Sequence, residues 1–225
     1  MSDRDVQLAL LEGMARPVGP LLDSVVAGSN ADLMLAAAPL YLRGSVLDVT
    51  YGRGKWWDRY QPDKFDFHDL ALDGVDFRAL PEDDDSYDTV IFDPPYVHSS
   101  GQSSSKSNDF TSRYGLEPEW RYTCADIRNL MTDGTRECCR VARSYVLVKA
   151  MGYVQNHVLT DLPALATNAA ADVGWAKWDV VVHHSGPSLG NGRPVFRQKR
   201  ARRAHSYLLV FASPDKHRYR QQETT

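Results

Sequence analysis

Cysteine is scarce in this chain: Cys124, Cys138 and Cys139 are the three among 225 residues. They are too few and too unevenly spaced for a zinc site or a disulfide framework. All three fall in a helical pattern and read as reduced packing residues, and no metal is expected. No stretch approaches the ~18 consecutive apolar residues of a membrane span. The opening Met1-Ser2-Asp3-Arg4-Asp5-Val6 has neither the basic nor the apolar region of a secretory signal, so a cytoplasmic location is expected. An excess of one charge is missing too, since 26 Lys and Arg against 29 Asp and Glu leave a formal net charge of −3. That balance gives no global attraction for a polyanion, so a nucleic-acid partner has to be met by a local patch. Hydrophobic residues, by contrast, make up 43% of the chain, enough for a substantial core in one large domain.

Helical spacing of Val6, Leu8, Leu10, Leu11 and Met14 predicts helix over 1–28, interrupted near Pro17 and Pro20. Ser29-Asn30-Ala31-Asp32 predicts an N-cap opening a second helix toward Leu42, which Pro39 bends or ends. Residues 1–43 are therefore expected to form a helical segment packed on the domain spanning 44–225. Buried strands are expected at 44–50, 88–92, 144–151, 175–184 and 204–211, with shorter ones at 64–70 and 74–81. Helices are expected over 118–141 and from Leu159 to about Ala171. No helix fits between the last two strands, which should pair antiparallel at the end of an otherwise alternating α/β chain.

Chemistry gathers where strands end. The run Asp88-Thr89-Val90-Ile91-Phe92 stops on Asp93-Pro94-Pro95-Tyr96, because two prolines supply no N–H for a ladder. A carboxylate, a free Pro94 carbonyl and a tyrosine ring at a strand's carboxyl end suit a flat heterocycle with an exocyclic amine. An earlier strand carries Asp48 and runs through Thr50 into Tyr51-Gly52-Arg53-Gly54, a strand-to-helix turn whose glycines let a nucleoside approach the backbone. It is not a P-loop, since Lys55 is followed by Trp56 rather than Ser or Thr.

Two loops stand out. Residues 97–121 begin with a Ser/Gly-rich stretch of the kind mobile functional loops carry. The second, 186–203, holds Arg193, Arg197, Lys199, Arg200, Arg202 and Arg203 with no acid among them, a pattern that neutralises phosphates. His183 and His184 are adjacent in a strand, face opposite sides and cannot share a metal.

Taken together, these motifs resemble the class I S-adenosylmethionine-dependent methyltransferases, in the group that methylates exocyclic amines of nucleic-acid bases. The resemblance covers roughly residues 44 to 211 and rests on Asp93-Pro94-Pro95-Tyr96 and on the Val46 to Gly54 loop. It implies a Rossmann-like, mostly parallel seven-stranded sheet with helices on both faces and a terminal antiparallel pair. It also implies S-adenosylmethionine as cofactor, held by Asp48, Thr50, Tyr51, Gly52 and Gly54. Asp69 falls at the place of the ribose-binding acid, with Asp66 as the alternative, and Asp76 and Phe77 fall where the cofactor's adenine is met. Catalysis is implied at Asp93, Pro94, Pro95 and Tyr96. The implied reaction is methyl transfer to adenine N6 on a flipped-out base, with DNA favoured over RNA as partner. Cytosine N4 methylation, RNA adenine methylation and a non-catalytic nucleic-acid-binding module are the alternatives. The cysteines lie in a helix away from any strand end, which disfavours ring-carbon methylation.

Overall fold

The computed structural model describes residues 22–95, 123–155, 158–185 and 204–215. Its elements are β1 (Val25–Ala27), α1 (Asn30–Tyr41), β2 (Ser45–Asp48), β3 (Lys64–Phe67), β4 (Tyr87–Phe92), α2 (Cys124–Val141) and β5 (Ala142–Ala150). There follow β6 (Tyr153–Gln155), β7 (Val158–Thr160), α3 (Leu162–Asp172), β8 (Ala176–His184) and β9 (Ser206–Ala212).

Seven strands form one sheet in the order β1-β8-β9-β5-β4-β2-β3, and β6 pairs with β7 in a separate antiparallel hairpin. β9 runs against both neighbours, β5 and β8, while every other pair is parallel. This is the Rossmann-like sheet expected from the sequence, with its antiparallel pair at the end. The chain leaves β2 for β3 on one side and returns to β4 on the other, so the carboxyl ends of β2 and β4 flank a topological switch point, where ligands bind in open α/β sheets.

The pleat divides the core in two. Val46, Ile91, Leu147, Val181, Leu208 and Val210 face α1, whose Leu33, Met34, Ala37 and Tyr41 are enclosed with them. Their strand neighbours Leu47, Val90, Phe92, Val146, Val148, Leu209 and Phe211 face α2 and α3. Strands covered on both sides need continuous apolar runs, which is why β4 and β5 read that way in sequence. Cys138 and Cys139 are free, buried thiols in the α2 layer, and burial pushes both upward, so they pack rather than react. Ser29 caps α1 as expected, in a reciprocal capping box with Asp32, and Pro39 sits inside the helix near its end.

Four local expectations are corrected. Helix was predicted across 1–28; residues 1–21 lie outside the described residues, and Val25–Ala27 is a strand, drawn into the sheet by the ladder that β8 offers: Val182 N–H donates to the Ser24 carbonyl at 2.8 Å. No α-helix follows Gly54; Lys55–Trp57 is a single 3-10 turn in which Trp56 and Trp57 are both buried. Residues 74–81 are turns rather than a strand, with Asp76 bonding the N–H of Arg78 instead of a neighbouring strand. Leu159 belongs to the β6–β7 hairpin, and α3 starts at Leu162, where Asp161 caps the N–H of Ala164.

Among the described residues no helix is long and apolar enough to cross a membrane.

Candidate active site at the β2–β4 switch point

The pleat that sorts the core also sorts the site. Asp48 follows Val46 by two residues, Asp93 follows Ile91, Lys149 follows Leu147 and His183 follows Val181, so all four stand on the α1 face at one sheet edge.

Asp48 is buried with both oxygens engaged. Oδ1 accepts the N–H of Thr50 at 2.9 Å and Oδ2 accepts the indole N–H of Trp57 at 2.8 Å. Burial pushes its carboxyl up to about 7, with the Trp57 and Thr50 hydrogen bonds pulling down and the Asp93 charge adding to the rise. Asp48 thus fastens the loop that follows it. Thr50 carries the fastening across to β4, since its Oγ1 accepts the backbone N–H of Asp93 at 2.8 Å.

Gly52 and Gly54 adopt left-handed backbone angles, φ 57° and 67°. A Cβ on Gly54 would also lie 2.4 Å from the Tyr51 hydroxyl oxygen, so this position excludes side chains twice over. The Tyr51 ring stacks on Phe67 with centroids 4.0 Å apart. Its N–H donates to the His68 carbonyl at 3.2 Å, and the His68 N–H donates to the Asp48 carbonyl at 2.8 Å, stitching the glycine loop to the end of β3.

Asp69 completes that stitch. Its Oδ2 accepts the Gly52 N–H at 2.9 Å and its Oδ1 accepts the Ala71 N–H at 2.9 Å. Asp66 is engaged elsewhere, by the Tyr87 hydroxyl at 2.8 Å. The structure thus brings Asp69, and not Asp66, against the glycine loop. Each Asp69 oxygen keeps a second lone pair for a ligand hydroxyl. Next along the chain, the His68 ring lies between Asp73 and Glu82, at 2.7 and 2.6 Å. Burial opposes charge on this imidazole, but the two carboxylates outweigh it and raise its pKa.

Asp76 is gripped by Arg78, which holds its carboxyl below the usual range. The Phe77 ring leans on Phe92 with centroids 4.9 Å apart. Gly134 of α2 makes room for both rings, since a Cβ there would lie 2.3 Å from Phe92 Cζ and 2.8 Å from Phe77 Cδ2.

Asp93, the first residue past β4, has its Oδ1 enclosed and without a partner among the described residues. Burial pushes its carboxyl up to about 6, against the pull of the Lys149 charge and a hydrogen bond from the Trp56 side chain. A buried acceptor left open at a strand's carboxyl end is where a ligand donor belongs.

Sequence reasoning missed Lys149, Asn30, Trp56 and His183. Lys149 is 2% exposed at the end of an apolar strand, and that solitary charge among Val146, Leu147, Val148 and Ala150 was its readable signal. Its Nζ donates to Asn30 Oδ1 at 2.6 Å and lies 5.0 Å from the centre of the Trp56 ring. His183 is buried and donates from Nε2 to the Gly28 carbonyl at 3.0 Å, while His184 is exposed, as expected of neighbours in a strand. Tyr96, Arg193, Arg197, Lys199, Arg200, Arg202 and Arg203 lie outside the described residues.

No family model matches this chain, and no curated protein matches it. Solved structures do match. One is a candidate DNA modification methylase from Thermus thermophilus complexed with S-adenosyl-L-methionine, 12% identical over 76% of this chain and 56% of that one, TM-score 0.39. The chain thus spans little more than half the length of that protein. A second is magnesium protoporphyrin IX methyltransferase from Synechocystis PCC 6803 with bound SAH, 11% identical over 82% of each chain, TM-score 0.43. A third belongs to the complex between the Haloferax volcanii Trm112 methyltransferase activator and a candidate methyltransferase, 18% identical over 94% of this chain and 91% of that one, TM-score 0.39. All three TM-scores are below 0.5, so the fold rests on the strand order itself and the function on the residues of the site.

Proposed function

We propose that this chain transfers a methyl group from S-adenosylmethionine to the exocyclic N6 amine of adenine in nucleic acid, with DNA the favoured polymer. The observation that carries this reading is the open, enclosed Oδ1 of Asp93 at the switch point, beside the Gly52–Asp69 stitch.

The residues present fit the cofactor. Gly52 and Gly54 keep the loop free of side chains, Asp69 has lone pairs to spare for ribose hydroxyls, and Asp76 with Phe77 supplies a carboxylate and a ring beyond it. When bound, S-adenosylmethionine supplies a methyl group activated on a sulfonium. Asp93 accepts one amine N–H through Oδ1, and the Pro94 carbonyl accepts the other. Together they draw the nitrogen lone pair out of ring conjugation and hold it in line for attack. Held this way, the amine nitrogen would take the methyl in place of one hydrogen, the cofactor's thioether would be the leaving group, and the Asp93 carboxylate is the base that would receive the proton. Tyr96 is assigned the stacking face for the base, and the six cations between Arg193 and Arg203 the phosphate contacts. A base inside a duplex is out of reach of such a site, so it is flipped out or taken from a single strand.

The test is transfer of a labelled methyl group to unmethylated DNA and to total RNA, followed by nucleoside digestion and mass spectrometry. N6-methyladenosine, as its deoxy form, is expected, and Asp93→Ala should abolish it while leaving cofactor binding in place. N4-methylcytosine would overturn the choice of base; label in neither polymer, with the cofactor bound, would overturn the reading.

A further inference from the structure

An ammonium enclosed in protein costs several kcal/mol unless its surroundings compensate it. Lys149, 2% exposed, is such a group, and the role argued for it rests on the reading just given, that its neighbour Asp93 grips the target amine. The hydrogen-bonding partner of Lys149 is not Asp93. Nζ donates to Asn30 Oδ1 at 2.6 Å, on the first residue of α1, and the Trp56 ring lies against it at 5.0 Å.

Lys149 nevertheless stands beside Asp93, each being the residue after the Phe92–Val148 pair of the neighbouring strands β4 and β5, so that each charge favours the ionised form of the other. The remaining charged and titratable groups around them are His183 from β8, which feels Lys149, Asp32 from α1, which acts on His183, and Asp48 from β2, which feels Asp93. This separates two functions that a direct ion pair would merge. A hydrogen bond from Lys149 would fill the acceptor that the substrate needs; charge at a distance leaves it open.

We propose that Lys149 is a positioning residue for methyl transfer: an ammonium, turned aside by Asn30 and Trp56, that keeps the Asp93 carboxylate charged and its Oδ1 open to the target amine. Asn30 is the second half of this device. Without its Oδ1, Lys149 is free to swing onto Asp93 and block it.

The experiment uses the full chain with Lys149→Met, Lys149→Arg and Asn30→Ala. One readout is a carbon-13 NMR titration of the Asp93 carboxyl without substrate; the other is the pH profile of kcat on the polymer that accepts label. Lys149→Met is expected to raise the Asp93 midpoint by about one unit or more, a tenfold change in the ionisation equilibrium. The acid limb of kcat should move with it, activity should recover at higher pH, and the cofactor Kd should change by less than about threefold. Lys149→Arg should keep the wild-type midpoint. Asn30→Ala should lower both the midpoint and kcat. An unmoved midpoint in Lys149→Met, or a loss of kcat that is flat with pH, would overturn the proposal. Should Lys149→Met not fold, Lys149→Gln is measured in its place with the same expected shift. If wild type methylates neither polymer, the amine-methylation reading fails by itself, and the carboxyl titration alone still decides the coupling of Lys149 to Asp93.

Discussion

The Thr50 hydroxyl oxygen accepts the backbone N–H of Asp93 at 2.8 Å, so the loop leaving β2 sets the position of the first residue past β4. Its side chain thereby ties the glycine loop to the Asp93-Pro94-Pro95 turn. Thr50→Val keeps the shape and removes the acceptor. It is expected to destabilise the protein by about 1–3 kcal/mol, the cost of a part-buried amide left unpaired. Methyl transfer should fall roughly tenfold or more through misplacement of Asp93, with cofactor affinity little changed. Thr50→Ser should retain both. Denaturant titration and the kcat against Kd comparison check this.

Asp93 and Asp48 reverse the usual pH dependence of carboxylates. Both fold with a carboxyl raised from 3.8, to about 6 and about 7, so each contributes stability that is complete below the ordinary value and lost as pH rises through the raised one. Asp93→Asn removes one of these charges, keeping one oxygen acceptor and replacing the other with an NH2 donor. It should raise stability at pH 8 by about 1–3 kcal/mol, and the gain should vanish toward pH 4. His183 works in the opposite direction, since burial and then the Lys149 charge hold it neutral in the fold. Urea unfolding of wild type and variant across this range measures the difference directly.

Gly134→Ala pits two effects against each other. In a helix interior the change is ordinarily worth about 1 kcal/mol in favour of Ala. Here the added methyl meets Phe92 Cζ at 2.3 Å, on a ring with no exposure and no room to retreat. Overpacking of about 1–3 kcal/mol should win, giving a lower Tm. Phe77 Cδ2, at 2.8 Å, is pushed as well, so under the proposed function the cofactor Kd should rise several-fold. Thermal unfolding with and without cofactor separates the two losses.

What could be read without coordinates followed from strong local signals. The apolar runs at Val90-Ile91-Phe92 and Val146-Leu147-Val148 announced strands covered on both faces, and Ser29 with Asp32 announced the start of α1. The unreadable parts depended on distant partners. Val25–Ala27 has an edge strand's mixed exposure and becomes a strand only because β8 lies beside it. Trp56 and Trp57 looked like the start of a helix and instead cover Lys149 and Asp48. Asn30 looked like an ordinary first-turn residue, and nothing near it in sequence announces a lysine 119 positions away.

The same arrangement orders events during synthesis. β9 is the last strand of the sheet to be made, yet it lies inside it, between β5 and β8, and β1 waits at the edge for β8. A chain halted after α3 already contains Asp93 and Lys149 but offers the apolar flank of β5 as an unpaired ladder, open to association with other chains. Long-range pairing slows folding in general, and here the β5 ladder is completed only once residues 206–212 have emerged.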